Sequence, residues 1–149
     1  MRALPVMTFA GDPACAGSWT LRHAVSLTLA EDAAPLSFTG LLRLDAGTAS
    51  IHAVGLGGMG FTLFDLTVAR DTFTARFLHP SVVRLPGAAG HIAAVLRRLW
   101  LGGPRGPLRR AVFSDYGDEA LGPWPRRVAA EGDGFALEIL LLEARANYP

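Results

Sequence analysis

Residues 19–29 alternate between two sets of side chains with a period of two, without interruption. One set is apolar except for a single histidine: Trp19, Leu21, His23, Val25, Leu27 and Leu29. The other set is polar or small: Thr20, Arg22, Ala24, Ser26 and Thr28. This period is typical of a β-strand with one buried and one solvated face. The pattern returns at residues 37–45, 48–56, 61–69, 72–78 and 134–142, so the sequence predicts a mostly antiparallel sheet.

Short turns join the strands predicted between residues 37 and 78. A hairpin signal, Asp45-Ala46-Gly47-Thr48, lies between the alternating runs at 37–45 and 48–56. A second short turn, Ala69-Arg70-Asp71, lies between the runs at 61–69 and 72–78. Four consecutive strands in a meander follow from these connections. Their predicted buried face carries Phe38, Leu42, Leu44, Ile51, Ala53, Phe64, Leu66, Val68, Phe73 and Phe77. Asp65 and Arg76 are predicted on the opposite, solvated face.

One amphipathic helix is predicted near residues 88–100. Ala88, Ile92, Val95, Leu96 and Leu99 recur at steps of three and four residues, and Gly102-Gly103-Pro104 ends the helix. Further strands are expected near 109–116, 125–130 and 134–144. The fold class is therefore mainly β with one or two helices. We expect one domain over residues 1–149, with an irregular segment at 1–17 and a curved sheet at 18–145.

Positive charge is concentrated in one region of a chain whose net charge is only +1. Seven arginines lie between residues 97 and 127: Arg97, Arg98, Arg105, Arg109, Arg110, Arg126 and Arg127. Three interpretations stay open: a solvated loop and helix face, contact with an anionic membrane surface, chiefly through the first five arginines, or contact with an acidic partner. Nucleic acid is not an expected partner, because the domain is not strongly basic and has no recognised binding motif.

The segment GLGGMG, with Gly55, Gly57 and Gly60, matches a dinucleotide-binding pattern by text only. A true site needs the last glycine to open a helix, with an acidic residue about 20 positions later for the ribose. Here a strand follows instead, and residues 76–84 contain no Asp or Glu. We therefore interpret the glycines as a wide hairpin or bulge, and no cofactor is expected.

Candidate catalytic and metal-binding residues are sparse. His23, His52, His79 and His91 are scattered without metal-ligand spacing, and Cys15 is the single cysteine, so no metal site is expected. Ser114, Asp115, Asp118 and Glu119 are predicted to form a turn rather than a nucleophile with its base. His23 interrupts an apolar face, which fits a buried core histidine better than a catalytic one. No catalytic residue is assigned.

The order of elements resembles a known family. A long first strand is followed by LSFTGLLRLDAGTASIHAVGLGGMGFTLFDLTVARDTFTARFLHP, then a helix GHIAAVLRRLWL, then GPWPRRVAAEGDGFALEILLLEA. This arrangement is similar to the lipoprotein-localisation (LolA/LolB-like) superfamily, and most of all to its small uncharacterised bacterial lipoproteins. The resemblance implies a strongly curved antiparallel sheet forming an incomplete barrel, with helix over part of the concave side and an apolar cavity. It carries over no individual functional residue.

The resemblance also bears on location. Periplasm or outer membrane is expected if a leader was removed, and cytoplasm otherwise, since residues 1–18 lack a full secretory signal and a lipobox before Cys15.

Two functions of different classes follow. The first is a non-catalytic envelope protein that binds a lipid, an acylated lipoprotein or another apolar ligand in the cavity. One helix of about 13 residues is only about 20 Å long and cannot cover the apolar faces of seven or more strands. The predicted lining is Trp19, Phe38, Leu42, Phe64, Leu66, Phe73 and Phe77. The alternative is an enzyme acting on a small apolar substrate in the same cavity.

Overall fold

The protein is an open sheet of eight antiparallel strands in the computed structural model, which describes residues 15–29, 34–104 and 106–147. The strands are β1 (Ser18–Thr28), β2 (Leu36–Asp45), β3 (Ser50–Leu56), β4 (Thr62–Val68), β5 (Phe73–Leu78), β6 (Leu108–Ser114), β7 (Arg127–Gly132) and β8 (Phe135–Asn147). The helices are α1 (Pro80–Val83) and α2 (Ala88–Trp100), and a 3-10 turn spans Glu119–Leu121. The predicted fold class and the helix at 88–100 are confirmed.

The strand order is β5-β4-β3-β2-β1-β8-β7-β6, and every neighbouring pair is antiparallel. Strands that follow one another in the chain are neighbours, except β5 and β6, which lie at opposite edges of the sheet, and the long β1 also pairs with β8. The connection through α2 carries the chain from the β5 edge to the β6 edge. The two halves of the sheet therefore meet on β1 and β8, the two longest strands.

The sheet curves around α2. Its edges β5 and β6 are seven strand intervals apart in the order, which would be about 34 Å in a flat sheet. Both edges nevertheless contact the same helix, as does β4. Because a helix is only about 10–12 Å wide, the sheet must bend to bring its edges toward it. We call the face toward α2 the inner face and the opposite face the outer face.

Hairpins follow the turn chemistry predicted from the sequence. The Asp45 carboxylate accepts hydrogen bonds from the backbone N–H groups of Gly47 (2.9 Å) and Thr48 (3.3 Å), and this fixes the turn between β2 and β3. The glycine-rich segment is a hairpin between β3 and β4, in which the Gly57 N–H donates to the Phe61 carbonyl at 2.9 Å. The prediction of a hairpin at this segment is confirmed.

Glycine is required at two positions of this hairpin by close aromatic packing. A Cβ atom at Gly55 would overlap the ring of Phe64, and one at Gly57 would overlap the ring of Phe61. Both rings occupy the space that a side chain at the glycine would need. The glycines therefore serve packing, which explains their presence without a phosphate ligand.

Candidate functional site

The inner face is closed at one end by a cluster of aromatic rings. Trp124 makes edge contacts with Trp19 (ring centroids 5.7 Å apart) and with Trp100 (6.1 Å), and Trp100 contacts Phe113 at 6.3 Å. Trp100 is the last residue of α2, and Trp124 follows the 3-10 turn. The rings thus tie the helix end and the β6–β7 connection onto the sheet. We call this group, with His23, the aromatic cluster.

His23 is a core residue of the aromatic cluster. Its side chain is only 3% exposed, and its ring stacks on Trp100 with centroids 5.7 Å apart and an interplanar angle of 22°. Burial lowers the pKa of His23 to about 4, because the imidazolium would lose its hydration. No hydrogen bond joins its ring to any of the described residues. It is therefore a neutral packing element at neutral pH, and the expectation of a core histidine rather than a catalytic one fits this placement.

The opposite end of the inner face is open. In an antiparallel sheet, the end of β1, the start of β2, the end of β3, the start of β4 and the end of β5 lie at one rim. Six large apolar side chains in the connections and strand ends on this side are exposed: Leu29, Leu36, Met59, Phe61, Val83 and Leu85. We call these six residues the apolar rim. Met59 is the extreme case, at 93% exposed.

Apolar side chains continue from the rim into the inner face without being fully covered. Val25 pairs with Phe38 on one side and with Ile139 on the other, and Leu27 pairs with Leu137. All five are only partly buried, whereas the next inner-face residues toward the aromatic cluster, such as Leu21 and Leu42, are buried. The cover provided by α2 and the aromatic cluster therefore ends part of the way along the strands.

The seven residues predicted to line an apolar cavity occupy three different environments. Leu42, Phe64 and Leu66 are buried in the core, packed by the protein's own side chains. Trp19 and Phe38 are partly buried against that core. Phe73 is 42% exposed on the inner side of edge strand β5, and its ring lies near the position a Cβ would take on Gly90 of α2.

Phe77 is the seventh residue, and its predicted face is wrong. A register shift in the β4–β5 pair places Leu66 opposite Ala75 but Asp65 opposite Phe77. The extra residue moves Phe77 to the side of Asp65, which is the outer face, where it is 46% exposed. A bulge of this kind reverses the side-chain alternation beyond it.

The sequence alone does not single out the residues at the open end. Val25, Leu27, Leu137 and Ile139 belong to the same alternating sets as Leu21 and Leu141, which are buried. Alternation alone does not distinguish covered from uncovered positions on one face. Among the predicted lining residues, Phe38 is the one that lies with them.

The outer face is polar and carries ion pairs across strands. Arg22 lies 3.6 Å from Glu143, and the His52 Nε2 lies 2.8 Å from the Asp65 carboxylate. No nucleophile is within hydrogen-bond distance of the His52 ring among the described residues, so this pair has a carboxylate and a base but no group to activate. In the described part of the chain, no cluster of three His, Cys, Asp or Glu side chains could hold a metal ion.

The basic region is largely engaged in intramolecular contacts. The Arg97 guanidinium donates to the carbonyls of Ala69 (2.8 Å) and Thr72 (3.0 Å), and Arg98 donates to that of Gly103 at 3.2 Å. Arg109 lies 3.3 Å from Asp133. Arg105 lies outside the described residues. The predicted acidic turn supplies two more partners, since Asp118 pairs with Arg126 (3.5 Å) and Asp115 with Arg127 (3.0 Å).

No protein-family model matches this sequence, and no curated protein is significantly similar to it. The resemblance to the lipoprotein-localisation superfamily therefore stays a prediction. None of the helices in the described ranges is long and apolar enough to cross a membrane.

Proposed function

We propose that the protein binds an elongated apolar molecule, such as an acyl chain, at the open end of its inner face and acts without catalysis. The observation that carries this proposal is the incomplete cover of a continuous apolar surface. Phe38, Leu137 and Ile139 pack against the core, and Val25 and Leu27 pair with them across the strands, yet all five are only partly buried. Uncovered apolar surface next to an exposed apolar rim is typical of a binding site.

Such a ligand would gain free energy because its methylene groups, and the apolar protein surface they cover, leave water. Each methylene group that leaves water contributes roughly 0.8 kcal/mol, so a chain of several methylenes would bind measurably. The aromatic cluster blocks the far end of the inner face. A bound chain would therefore enter from the apolar rim and stop before Trp100, with its polar end left at the rim.

Arg84 is the group best placed to meet a charged end of that ligand. It lies between Val83 and Leu85 of the apolar rim, is exposed, and has no ion pair with any described residue. A carboxylate or phosphate at the rim would gain a charge-assisted contact with its guanidinium. This supports an anionic amphiphile, such as a fatty acid, over a neutral hydrocarbon.

The resemblance extends the same proposal to an acylated lipoprotein as cargo and to the bacterial envelope as location. Contact with an anionic membrane surface remains part of the proposal. The intramolecular contacts of Arg97, Arg98 and Arg109 leave Arg110 as the described member of the predicted surface with neither a side-chain hydrogen bond nor an ion pair to a described residue. The enzyme alternative is less favoured, because His23 is the single buried side chain other than the Cys15 thiol that could move a proton in the described core.

A fluorescent fatty acid titrated into the purified protein tests the proposal. Leu36→Arg places a charge at a rim position that is 53% exposed, so the fold should tolerate it while affinity falls at least tenfold. Leu142→Arg is the matched control, since Leu142 is 42% exposed on β8 away from the rim. Equal affinities of the two variants, or no binding by the unaltered protein, would contradict the proposal.

The charged end is tested separately. Arg84→Glu should weaken binding of the fatty acid and leave binding of the corresponding fatty alcohol unchanged. A similar loss for both ligands would mean that Arg84 does not contact the headgroup.

A further inference from the structure

A second concave region lies on the outer face of the sheet. It is an open trough of about 670 Å³ that crosses β6, β7, β8, β1 and β2 and reaches the end of β3. Five strand intervals correspond to a floor about 24 Å long. A volume in this range is typical of small-molecule sites, which occupy roughly 300–1,000 Å³. We call this region the outer-face trough.

The strand register places side chains with hydrogen-bonding groups in a row across the trough. Ser26 on β1 lies directly opposite Ser37 on β2 and opposite Glu138 on β8. One pleat further along β1, Ala24 lies opposite Thr39. Directly opposed residues in a sheet have Cβ atoms about 4.5–5.5 Å apart. Three hydroxyl groups and a carboxylate are therefore presented side by side on one surface.

The charges around the trough disfavour an anionic ligand. Glu138 has no ion-pair partner among the described residues, while the Arg127 guanidinium already lies 3.0 Å from the Asp115 carboxylate. Arg127 and Glu138 are the two charged side chains of the lining, so the trough has no net positive charge to attract an anion. A long hydrocarbon would leave the hydroxyl row without partners, which costs free energy for each polar group desolvated.

Apolar contacts are also present, at the sides of the row. Leu140 lies opposite Ala24 on one side and opposite Arg127 on the other, and Leu56 lies opposite Thr39. Both leucines line the trough and are partly buried. The surface thus combines hydroxyl and carboxylate groups with flat aliphatic patches, in an arrangement several strands long.

We propose that the outer-face trough binds a neutral, polyhydroxylated chain, that is, an extended oligosaccharide. Ligand hydroxyls would donate to Glu138 and exchange hydrogen bonds with Ser26 and Ser37, and the C–H faces of the sugar rings would lie on Leu56 and Leu140. The site is on the opposite face of the sheet from the apolar-ligand site. Val25, Phe38 and Ile139 belong to the lining of both regions, so the variants that test the trough change outer-face side chains alone.

Calorimetric titration with cellohexaose, a neutral linear hexasaccharide, tests this site. We expect binding that is at least tenfold weaker for cellobiose, because a disaccharide covers a small part of the trough. Ala129→Trp fills the floor at an exposed position and should reduce hexasaccharide affinity at least tenfold. Glu138→Gln should weaken it severalfold by replacing a charged acceptor with a neutral amide.

Thr67→Trp is the matched control, since Thr67 is an exposed strand residue on β4 outside the trough. It should bind the hexasaccharide like the unaltered protein. Equal loss in Ala129→Trp and Thr67→Trp, or no hexasaccharide binding by the unaltered protein at millimolar concentration, would overturn the proposal. Fatty-acid binding should be unchanged in Ala129→Trp, so this site and the apolar site can fail separately.

Discussion

The imidazole of His23 lies almost parallel to the indole of Trp100, with ring centroids 5.7 Å apart and 22° between the planes. One ring comes from the central strand of the sheet and the other from the last residue of α2. Burial holds the pKa of His23 at about 4, below the 6.5 expected for an exposed histidine. The contact between sheet and helix therefore depends on a ring that must stay uncharged.

This dependence predicts a loss of stability in mild acid. As pH falls from about 6.5 to about 4, the unfolded chain protonates its histidine while the folded chain does not, so the unfolded state gains protons and stability decreases. Between pH 7 and about pH 4.5 the loss from this group should be roughly 2–3 kcal/mol. Urea unfolding at the two pH values measures it, and His23→Phe should remove that part of the pH dependence. The same pH dependence in both proteins would show that His23 is not the cause.

A side chain added at Gly55 should lower the free energy of unfolding, because the β3–β4 hairpin is closely packed there. Gly55→Ala places a methyl group where the Phe64 ring lies, so we expect a cost of about 1–3 kcal/mol from overpacking. Gly58→Ala is the control, since its Cβ would meet nothing within 4 Å. In a Phe64→Leu background the Gly55→Ala cost should shrink, as measured by a double-mutant cycle of unfolding free energies. Additive costs would mean that the two positions are not coupled.

Truncation of Leu99 tests whether α2 is part of the core. Leu99 is fully buried on the helix, so Leu99→Ala should lower the free energy of unfolding by about 2–5 kcal/mol. Leu142→Ala removes the same atoms from a side chain that is 42% exposed and should change stability by less than about 0.5 kcal/mol. Similar denaturation midpoints for the two variants would rule out a structural role for the helix face.

Arg97 should stabilise the connection between β4 and β5 through its shape as well as its charge. Its Nε and Nη2 atoms reach two carbonyls of the same turn, those of Ala69 and Thr72. Lysine cannot reproduce this fork, so Arg97→Lys should cost about 1–2 kcal/mol. Arg109→Lys, at a strongly exposed ion pair with Asp133, should be nearly neutral. Faster amide hydrogen exchange in residues 69–72 of Arg97→Lys would locate the effect.

Much of the fold can be predicted because its strands, turns and main helix each depend on residues that are close together in the sequence. The alternation at 19–29 corresponds to β1, the hairpin signal at Asp45 to the β2–β3 turn, and the three-and-four spacing after Ala88 to α2. Each of these depends on residues within a few positions of one another. The short helix α1, at Pro80–Val83, is not predictable in this way, because four residues are too few to show a helical period.

The candidate site was predicted less well, because its composition depends on distant contacts. Phe77 was assigned to the wrong face since a bulge in the β4–β5 pair leaves no mark in an alternating sequence. Leu42, Phe64 and Leu66 were predicted as lining but are covered by the protein's own side chains. Val25 and Leu137 follow the same pattern as these residues, yet they remain only partly covered.

The sequence by itself determined which residues share a face, since side chains alternate along a strand whatever surrounds it. Only the tertiary structure decided how far along that face the cover extends. The pairing of β1 with β8 and the position of α2 bring Trp100 onto His23, more than 70 residues away in the chain. Packing between such distant segments depends on the whole folded surface and has no local period. For this reason the division of the inner face into a closed aromatic end and an open apolar end appears only in three dimensions.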